Sequence, residues 1–151
     1  MGAACCRMVD DALEDRRLRA CTDKNTEKFL PELRRAKVVS VYDGDTLTIA
    51  ARHARHGPPY LFKVRLEGID APELRGSSAA EKEAALAARD WLRQQVLGKP
   101  VTLENISLEK YGRVLATVKR RGTDLSKLAL DEGHAVRYDG GKKPAFQPGH
   151  V

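Results

Sequence analysis

The sequence predicts a mainly β domain with helices, an α+β fold built as a closed five-stranded barrel with two helices packed against it. Apolar segments of strand length, bounded by turn signals, dominate the first half of the chain. One segment with helical spacing follows the third strand segment, and another follows the fifth. The length of 151 residues gives one domain a core but is too short for two. This order is typical of small barrels of the oligonucleotide/oligosaccharide-binding (OB) type.

Composition divides the chain into three parts. Residues 1–36 carry dense charges of both signs and one weak apolar stripe, and we expect a flexible arm or a short helix there. Residues 37–140 hold the patterned segments and form the predicted folded domain. Residues 141–151 contain Gly, Pro and Lys and are expected to be an irregular tail.

The strands are predicted from alternation and from turn residues. Residues 37–50 indicate a strand, a tight turn at Asp43-Gly44 and a second strand. Asp-Gly suits such a turn because Gly tolerates a positive φ and Asp can bond its own backbone. The segment YLFKVRLEG, 60–68, alternates apolar and polar side chains. The segments PVTLENISL, 100–108, and GRVLATVKR, 112–120, supply the last two strands.

Two helices are predicted from capping and periodicity. Ser78 followed by Glu81 makes a capping box, and Gly98 with Pro100 ends the helix that it opens. The segment DLSKLALDE, 124–132, forms a second, short helix that Gly133 ends. The apolar stripe of the first helix is predicted at Ala80, Ala84, Ala87, Ala88, Trp91 and Leu92.

Charge and cysteine content restrict the class of protein. The net charge of +6 and the isoelectric point of about 9.4 favour polyanionic partners such as nucleic acids or acidic membranes. No apolar run reaches membrane-spanning length, and acids in the first fifteen residues argue against a secretory signal, so we expect an intracellular protein. All three cysteines lie within the first 21 residues and form neither a disulfide framework nor a zinc spacing.

Three clusters of polar residues interrupt these otherwise ordinary elements. Each also has a structural reading: a hairpin turn for the first, and a cap, a solvated strand face or an exposed turn for the others. The acids could instead form the all-oxygen set that calcium or magnesium prefers, and the arginines could clamp a phosphate. Lys and Tyr beside them would add charge and a stacking surface. The clusters are Asp43-Gly44-Asp45-Thr46, Arg65 with Asp70 and Glu73, and Lys110-Tyr111-Gly112-Arg113.

Taken together and in this order, the clusters resemble the staphylococcal nuclease (thermonuclease) family. The resemblance covers residues 38 to about 140 and includes LALDEGHAVRY, 128–138, which is similar to that family's second helix and the segment after it. It implies a calcium-dependent endonuclease that cleaves DNA and RNA with little sequence preference, leaving 3′-phosphate and 5′-hydroxyl ends. A monomer is the expected state.

The resemblance also implies a metal site. Asp45 and Asp70 would be direct calcium ligands, together with the backbone carbonyl of Ala71. Asp43 would be a nearby acid that does not touch the ion. The type member has threonine where this chain has Ala71, and a ligand that acts through its backbone should tolerate that difference.

Further residues are implied to act on the substrate. Arg65 and Arg113 would bind the scissile phosphate, and Glu73 would be the base for the attacking water or would position it. Alanine at either arginine is expected to lower turnover by orders of magnitude while leaving the fold intact. The resemblance also suggests substrate contacts from Lys110, Tyr111 and Tyr138.

An alternative function is a catalytically inactive barrel that binds nucleic acid or a protein. Relatives of that kind have lost the site residues, whereas all of the implied ones are present here. The chain also stops near the point where the type member's third, C-terminal helix would begin, so we expect that helix to be absent. The loop ARHARHGPP, 51–59, has no clear counterpart in the family; its His53-x-x-His56 spacing suits a metal less than a solvated basic loop, which could add contact to a nucleic-acid backbone.

The N-terminus MGAACCR raises the possibility of lipid attachment. Gly2 would be exposed for myristoylation after removal of Met1, although the pattern asks for Ser or Thr where Cys6 stands. Cys5 and Cys6 could be palmitoylated, and two acyl chains anchor a protein stably. This reading would place the protein at the cytoplasmic face of a membrane as a peripheral protein; an unmodified tail would leave it cytoplasmic.

Overall fold

A computed structural model describes residues 11, 13–54, 56–76 and 78–141. The predicted lipidation sites at Gly2, Cys5 and Cys6 lie outside the described residues. The same holds for residues 142–151, so the structure also leaves the expected absence of a C-terminal helix untested.

Eight strands and three helical segments make up the described part of the chain. The third helical segment, α1, covers residues 13–19 in the N-terminal part of the chain and is exposed throughout. No helix among these residues is both long and apolar enough to cross a membrane. The other elements are β1 Arg35–Val41, β2 Thr46–Ala51, β3 Tyr60–Leu66, β4 Ile69–Asp70, α2 Ala79–Val96, β5 Pro100–Leu108, β6 Val114–Arg120, β7 Thr123–Asp124, α3 Leu125–Asp131 and β8 Val136–Arg137.

Five of these strands close into a barrel, as predicted. Their order is β3-β2-β1-β5-β6, with antiparallel neighbours. A parallel pairing between β3 and β6 closes the cylinder, through Val64 opposite Val114 and Leu66 opposite Ala116. The short strand β7 pairs antiparallel with the end of β6, and β4 pairs with β8 in a separate two-stranded ribbon.

The barrel interior is filled by the apolar members of the alternating strands. Leu47 and Ile49 of β2 and Val64 and Leu66 of β3 are fully buried. Helix α2 closes one side of this core. Its buried face consists of Ala85, Ala88, Trp91, Leu92 and Val96.

The predicted stripe of α2 was wrong at its N-terminal end. Ala80 and Ala87 are exposed and Ala84 is half-buried, while Ala85 is the buried alanine. Counting back from Trp91 and Leu92 by helical steps reaches both Ala84 and Ala85, and a run of alanines does not distinguish these two faces. The barrel surface, which α2 packs against, selects the face.

The predicted start of α2 at Ser78 and its end at Gly98 are confirmed, whereas Asp124, predicted as the first residue of the second helix, is instead its N-cap. The Ser78 hydroxyl accepts a hydrogen bond from the backbone N–H of Glu81 at 3.1 Å, and Gly98 ends the helix with a φ of 73°. Asp124 caps α3 by accepting from the N–H groups of Ser126 and Lys127. Gly133 follows this helix with a φ of 75°.

Gly44 lies in the β1–β2 turn for a reason that differs from the predicted one. Its φ lies outside the left-handed region. A Cβ at this position would lie 2.7 Å from the Cβ of Ala71 and 2.8 Å from the Cβ of Ala88. Glycine is therefore required by the close approach of the turn to the chain after β4 and to helix α2.

We expect Gly44→Ala to destabilise the protein by about 1–3 kcal/mol, because the added methyl must displace two packed neighbours. Thermal unfolding checks this expectation. Gly57→Ala is the matched control, since a Cβ there would meet Ala54 at an ordinary 3.7 Å. Equal melting temperatures for the two variants would contradict the packing argument.

Candidate active site

The polar clusters meet at one end of the barrel, where β2 begins and β3 ends. Thr46 and Arg65 lie opposite each other in the β2–β3 ladder. The N–H of Leu66 donates to the backbone carbonyl of Asp45 at 2.8 Å, which ties the turn to the end of β3. β6 begins beside β3 through the parallel pairing, so Arg113, just before β6, joins the same end.

Asp43 holds the turn that presents Asp45. Its Oδ1 accepts hydrogen bonds from the N–H of Asp45 at 3.1 Å and from the N–H of Thr46 at 2.6 Å. One oxygen thus fixes two successive backbone groups, as expected of Asp in a turn. The turn role predicted for Asp43 is therefore confirmed, and its role beside a metal ion stays a prediction.

Asp45 is buried, with 4% of its surface exposed. Its Oδ1 accepts from the hydroxyl of Thr46 at 2.8 Å. Its Oδ2 accepts from the N–H of Ala71 at 3.3 Å and lies 3.0 Å from Nη2 of Arg65. Both oxygens are engaged, so the carboxylate has one fixed orientation.

Arg65 joins the two predicted metal-ligand carboxylates. Its Nη2 donates to Oδ1 of Asp70 at 2.6 Å and to the carbonyl of Ile69 at 3.3 Å, beside the contact to Asp45. Although Arg65 occupies the polar side of the alternating strand β3, it is only 8% exposed. The surface-solvation reading of this arginine is therefore wrong.

The charge balance of the cluster is negative around Asp45. Burial first, and then the negative charge of Asp43, raise the pKa of the Asp45 carboxyl to about 7 against the opposing effect of the Arg65 guanidinium. A single guanidinium is shared between two buried carboxylates. Such a site favours the approach of a further cation.

Arg113 forms a bidentate ion pair with Glu109 in the hairpin between β5 and β6. Its Nε lies 2.6 Å from Oε2 of Glu109 and its Nη2 lies 2.7 Å from Oε1. The hydrogen bond from Arg113 lowers the pKa of Glu109 below its usual value. The Nη1 of Arg113 also donates to the hydroxyl of Thr46 at 3.3 Å. Arg113 and Arg65 are therefore linked through Thr46 and Asp45.

The three predicted substrate-contact residues lie beside this network. The Arg65 guanidinium carbon lies 5.6 Å from the ring centroid of Tyr138, and Nζ of Lys110 lies 4.9 Å from the ring centroid of the exposed Tyr111. A pocket of about 430 Å³ opens here, and Arg65, Glu109, Lys110 and Tyr138 are among its lining residues. A planar, partly apolar group next to a phosphate fits such a wall.

The structure places Glu73 in the loop after β4 with an exposed side chain. Its backbone carbonyl accepts from the N–H of Gly76 at 2.8 Å, which closes a turn. Asp70, the last residue of β4, Ala71 and the buried Pro72 precede it directly, so the predicted site residues here lie on one short stretch.

The donor atoms at the site suit a hard divalent cation. Asp45 and Asp70 share Arg65 as a partner, and the Ala71 backbone lies against Asp45. These are oxygen donors, as calcium requires. Within the described residues, no group of three or more His, Cys, Asp or Glu side chains is arranged to hold a metal ion, so oxygens other than side-chain carboxylates, such as a main-chain carbonyl or water, would complete the set.

Two residues of the site had no predicted role. Thr46 stands in the first cluster, yet its hydroxyl connects Asp45 to Arg113. Glu109 orients Arg113. Its position four residues before Arg113 was a signal for a pair, although that spacing promises contact only within a helix and here a hairpin supplies it.

The chain is similar in sequence to known proteins. The sequence profile described as "Staphylococcal nuclease homologue" matches residues 63–148. A protein named "Probable endonuclease LCL3" from Nakaseomyces delphensis is 33% identical over 89 residues, which cover 56% of this chain and 34% of the relative. Proteins of the same name from Komagataella phaffii and Candida tropicalis are 33% and 38% identical over 87 residues. The matches span 55% of this chain and 38% and 37% of those two relatives.

Proposed function

Because this chain belongs to the staphylococcal nuclease family, we propose that it is a calcium-dependent endonuclease that hydrolyses phosphodiester bonds of DNA and RNA. The proposed cleavage has little sequence preference and leaves 3′-phosphate and 5′-hydroxyl ends. The observation that carries the proposal is the continuous network from Asp70 through Arg65, Asp45 and Thr46 to Arg113. It brings two guanidiniums and two buried carboxylates to one end of the barrel.

The two arginines act on the phosphate. Planar guanidiniums bind phosphate oxygens through paired N–H groups, and their fixed charge stabilises the negative charge that grows in the transition state. Arg65 is held in place by two carboxylates and Arg113 by Glu109, so both donors are oriented before the substrate arrives. Contacts to the phosphate carry no sequence information, which accounts for the broad specificity.

The proposed calcium ligands are Asp45, Asp70 and the backbone carbonyl of Ala71. When bound, calcium neutralises a phosphate oxygen and orients the phosphodiester. Burial of both carboxylates and their sharing of Arg65 keep these oxygens fixed. Asp43 supports the site by holding the turn.

Glu73 is proposed to position the attacking water and to accept its proton. An exposed carboxylate on the loop that follows Asp70 and contains Ala71 can reach solvent next to the phosphate. A general base of this kind contributes about 10²–10⁴-fold to the rate. The stiff Pro72 fixes the backbone between Asp70 and Glu73.

We expect Asp45→Asn to raise the calcium concentration needed for half-maximal cleavage by tenfold or more, because a charged ligand becomes neutral. The rate of cleavage is measured against calcium concentration. Asp43→Asn is the comparison variant: its amide oxygen can still accept both N–H groups of the turn, and its calcium requirement should rise less, since the lost charge does not touch the ion. If Asp45→Asn titrates like the wild type, Asp45 is not a ligand.

The chemical groups at the ends of the cleaved oligonucleotides test the proposed function itself. A 5′-labelled oligonucleotide is digested and the products are treated with a phosphatase that removes 3′-phosphates. A change in product mobility supports the proposed bond cleavage. Products that already carry 3′-hydroxyl ends would exclude it.

A further inference from the structure

A second charged surface lies at the opposite end of the barrel from the candidate active site. In the β2–β3 ladder, Thr46 opposite Arg65 marks the active-site end, and Ala51 opposite Tyr60 marks the other. An open groove of about 950 Å³ lies at that far end, between the start of β1 and the loop after β2. Strand geometry separates the two ends by about 17 Å.

The groove is strongly basic. Arg34, Arg35, Lys37 and Arg52 line it, and all four are exposed. Within the part of the chain that the structure describes, none of these four side chains forms an ion pair or a hydrogen bond. Glu32 is the acidic residue on the wall. Among the described residues, these four exposed cations thus have no side-chain partner, whereas the arginines of the active site are paired.

Aromatic rings continue the wall of the groove. His53 lines it and contacts Phe29 edge to face, with ring centroids 5.7 Å apart, and Tyr60, with centroids 5.4 Å apart. Phe29 is 69% exposed and Tyr60 is 49% exposed. Rings at this spacing beside unpaired cations are what single-stranded nucleic acid requires: charge for its phosphates and platforms for its bases.

We propose that this groove is a second nucleic-acid-binding surface that holds single-stranded DNA or RNA at a distance from the site of cleavage. The proposal deepens the proposed function, on which its biological use depends, but the binding itself does not require cleavage. A strand seated in the groove extends the contact of a long substrate beyond the active site. Arg35 and Arg52 supply phosphate contacts, and Phe29 supplies a base platform.

An acidic membrane is the competing partner of a basic surface with exposed rings. Membrane-surface binding needs apolar side chains that project together from one face into the lipid. Here the cations line a concave wall, and His53 holds the rings against one another. These observations favour a nucleic-acid strand that lies in the groove, rather than a membrane surface, as the partner.

The test measures the affinity of the full chain for an oligothymidylate of about 20 nucleotides, longer than one barrel of this type covers, in chelator and at several salt concentrations. Arg35→Gln with Arg52→Gln is expected to reduce the slope of log K against log salt by about 1.4, since each phosphate contact on a single strand contributes about 0.7. Phe29→Ala is expected to weaken binding about fivefold or more with an unchanged slope, because it removes stacking and no charge.

Lys82→Gln with Lys127→Gln is the matched control, since both lysines are exposed on helices and removing them changes the net charge equally. The control should keep the wild-type slope. A groove variant that behaves like the control overturns the proposal. The groove variants are also tested for binding to phosphatidylserine vesicles. Variants that lose vesicle binding but keep oligonucleotide binding would also overturn the proposal, because the groove would then be a membrane-binding surface. Cleavage in calcium is measured separately, so a protein that never cuts overturns the proposed function and leaves the groove result standing.

Discussion

Replacing Arg65 by alanine is expected to lower the free energy of unfolding by about 3–5 kcal/mol and to abolish cleavage. The guanidinium is the shared partner of Asp45 and Asp70, and all three side chains are at most 10% exposed. Removing it takes the shared guanidinium charge away from two buried carboxylates. The sequence alone led to the expectation of an intact fold, and burial is the reason that this expectation changes.

Urea unfolding in calcium-free buffer measures the stability loss. Arg65→Lys keeps the charge but not the planar fork, and it should be intermediate in both stability and activity. Combining Arg65→Ala with Asp45→Asn should cost less than the sum of the single changes, because one of the stranded charges is then absent. A wild-type unfolding midpoint for Arg65→Ala would show that the ion pairs do not support the fold.

Replacing Arg113 by alanine is expected to reduce the rate of cleavage by about 10²–10³-fold with little change in stability. Its partner Glu109 is in a partly exposed hairpin, and such an ion pair contributes only about 0–1 kcal/mol. The variant should therefore lose cleavage activity, through the missing phosphate contact, while its stability is retained. Steady-state cleavage and the melting temperature are measured on the same preparation.

Two variants control for the change at Arg113. Arg113→Lys should recover only part of the rate, since a lysine donates no paired N–H groups. Lys82→Ala removes an exposed cation outside the site and should cleave at the wild-type rate. If Arg113→Ala cleaved as fast as Lys82→Ala, the assignment of Arg113 to the phosphate would be wrong.

Much of the fold follows from short-range patterns. The alternation in β3, the capping box at Ser78 and the apolar segments of β5 and β6 each depend on neighbouring residues, and all were predicted. The face of α2 depends on which side the barrel approaches, so Ala84 was chosen where Ala85 is buried. Long-range packing is also the reason that residue 44 is glycine, since its neighbours Ala71 and Ala88 are distant in sequence.

The candidate site was predicted as three separate clusters. Their order along the chain indicated a shared function, but no local pattern shows that Arg65 bridges Asp45 and Asp70. An arginine on the polar face of a strand usually contacts solvent, and only closure of the barrel buries this one. The link from Thr46 to Arg113 spans β3 and β5 in sequence and likewise appears only in three dimensions.

The proposed function depends on cleavage of single-stranded DNA by the purified chain, measured first with calcium and then after addition of a calcium-selective chelator. We expect rapid cleavage in calcium, 3′-phosphate products and loss of activity on chelation that added calcium restores. Binding of the DNA without cleavage, in either calcium or magnesium, would rule out the proposed enzyme and would identify an inactive barrel that only holds nucleic acid.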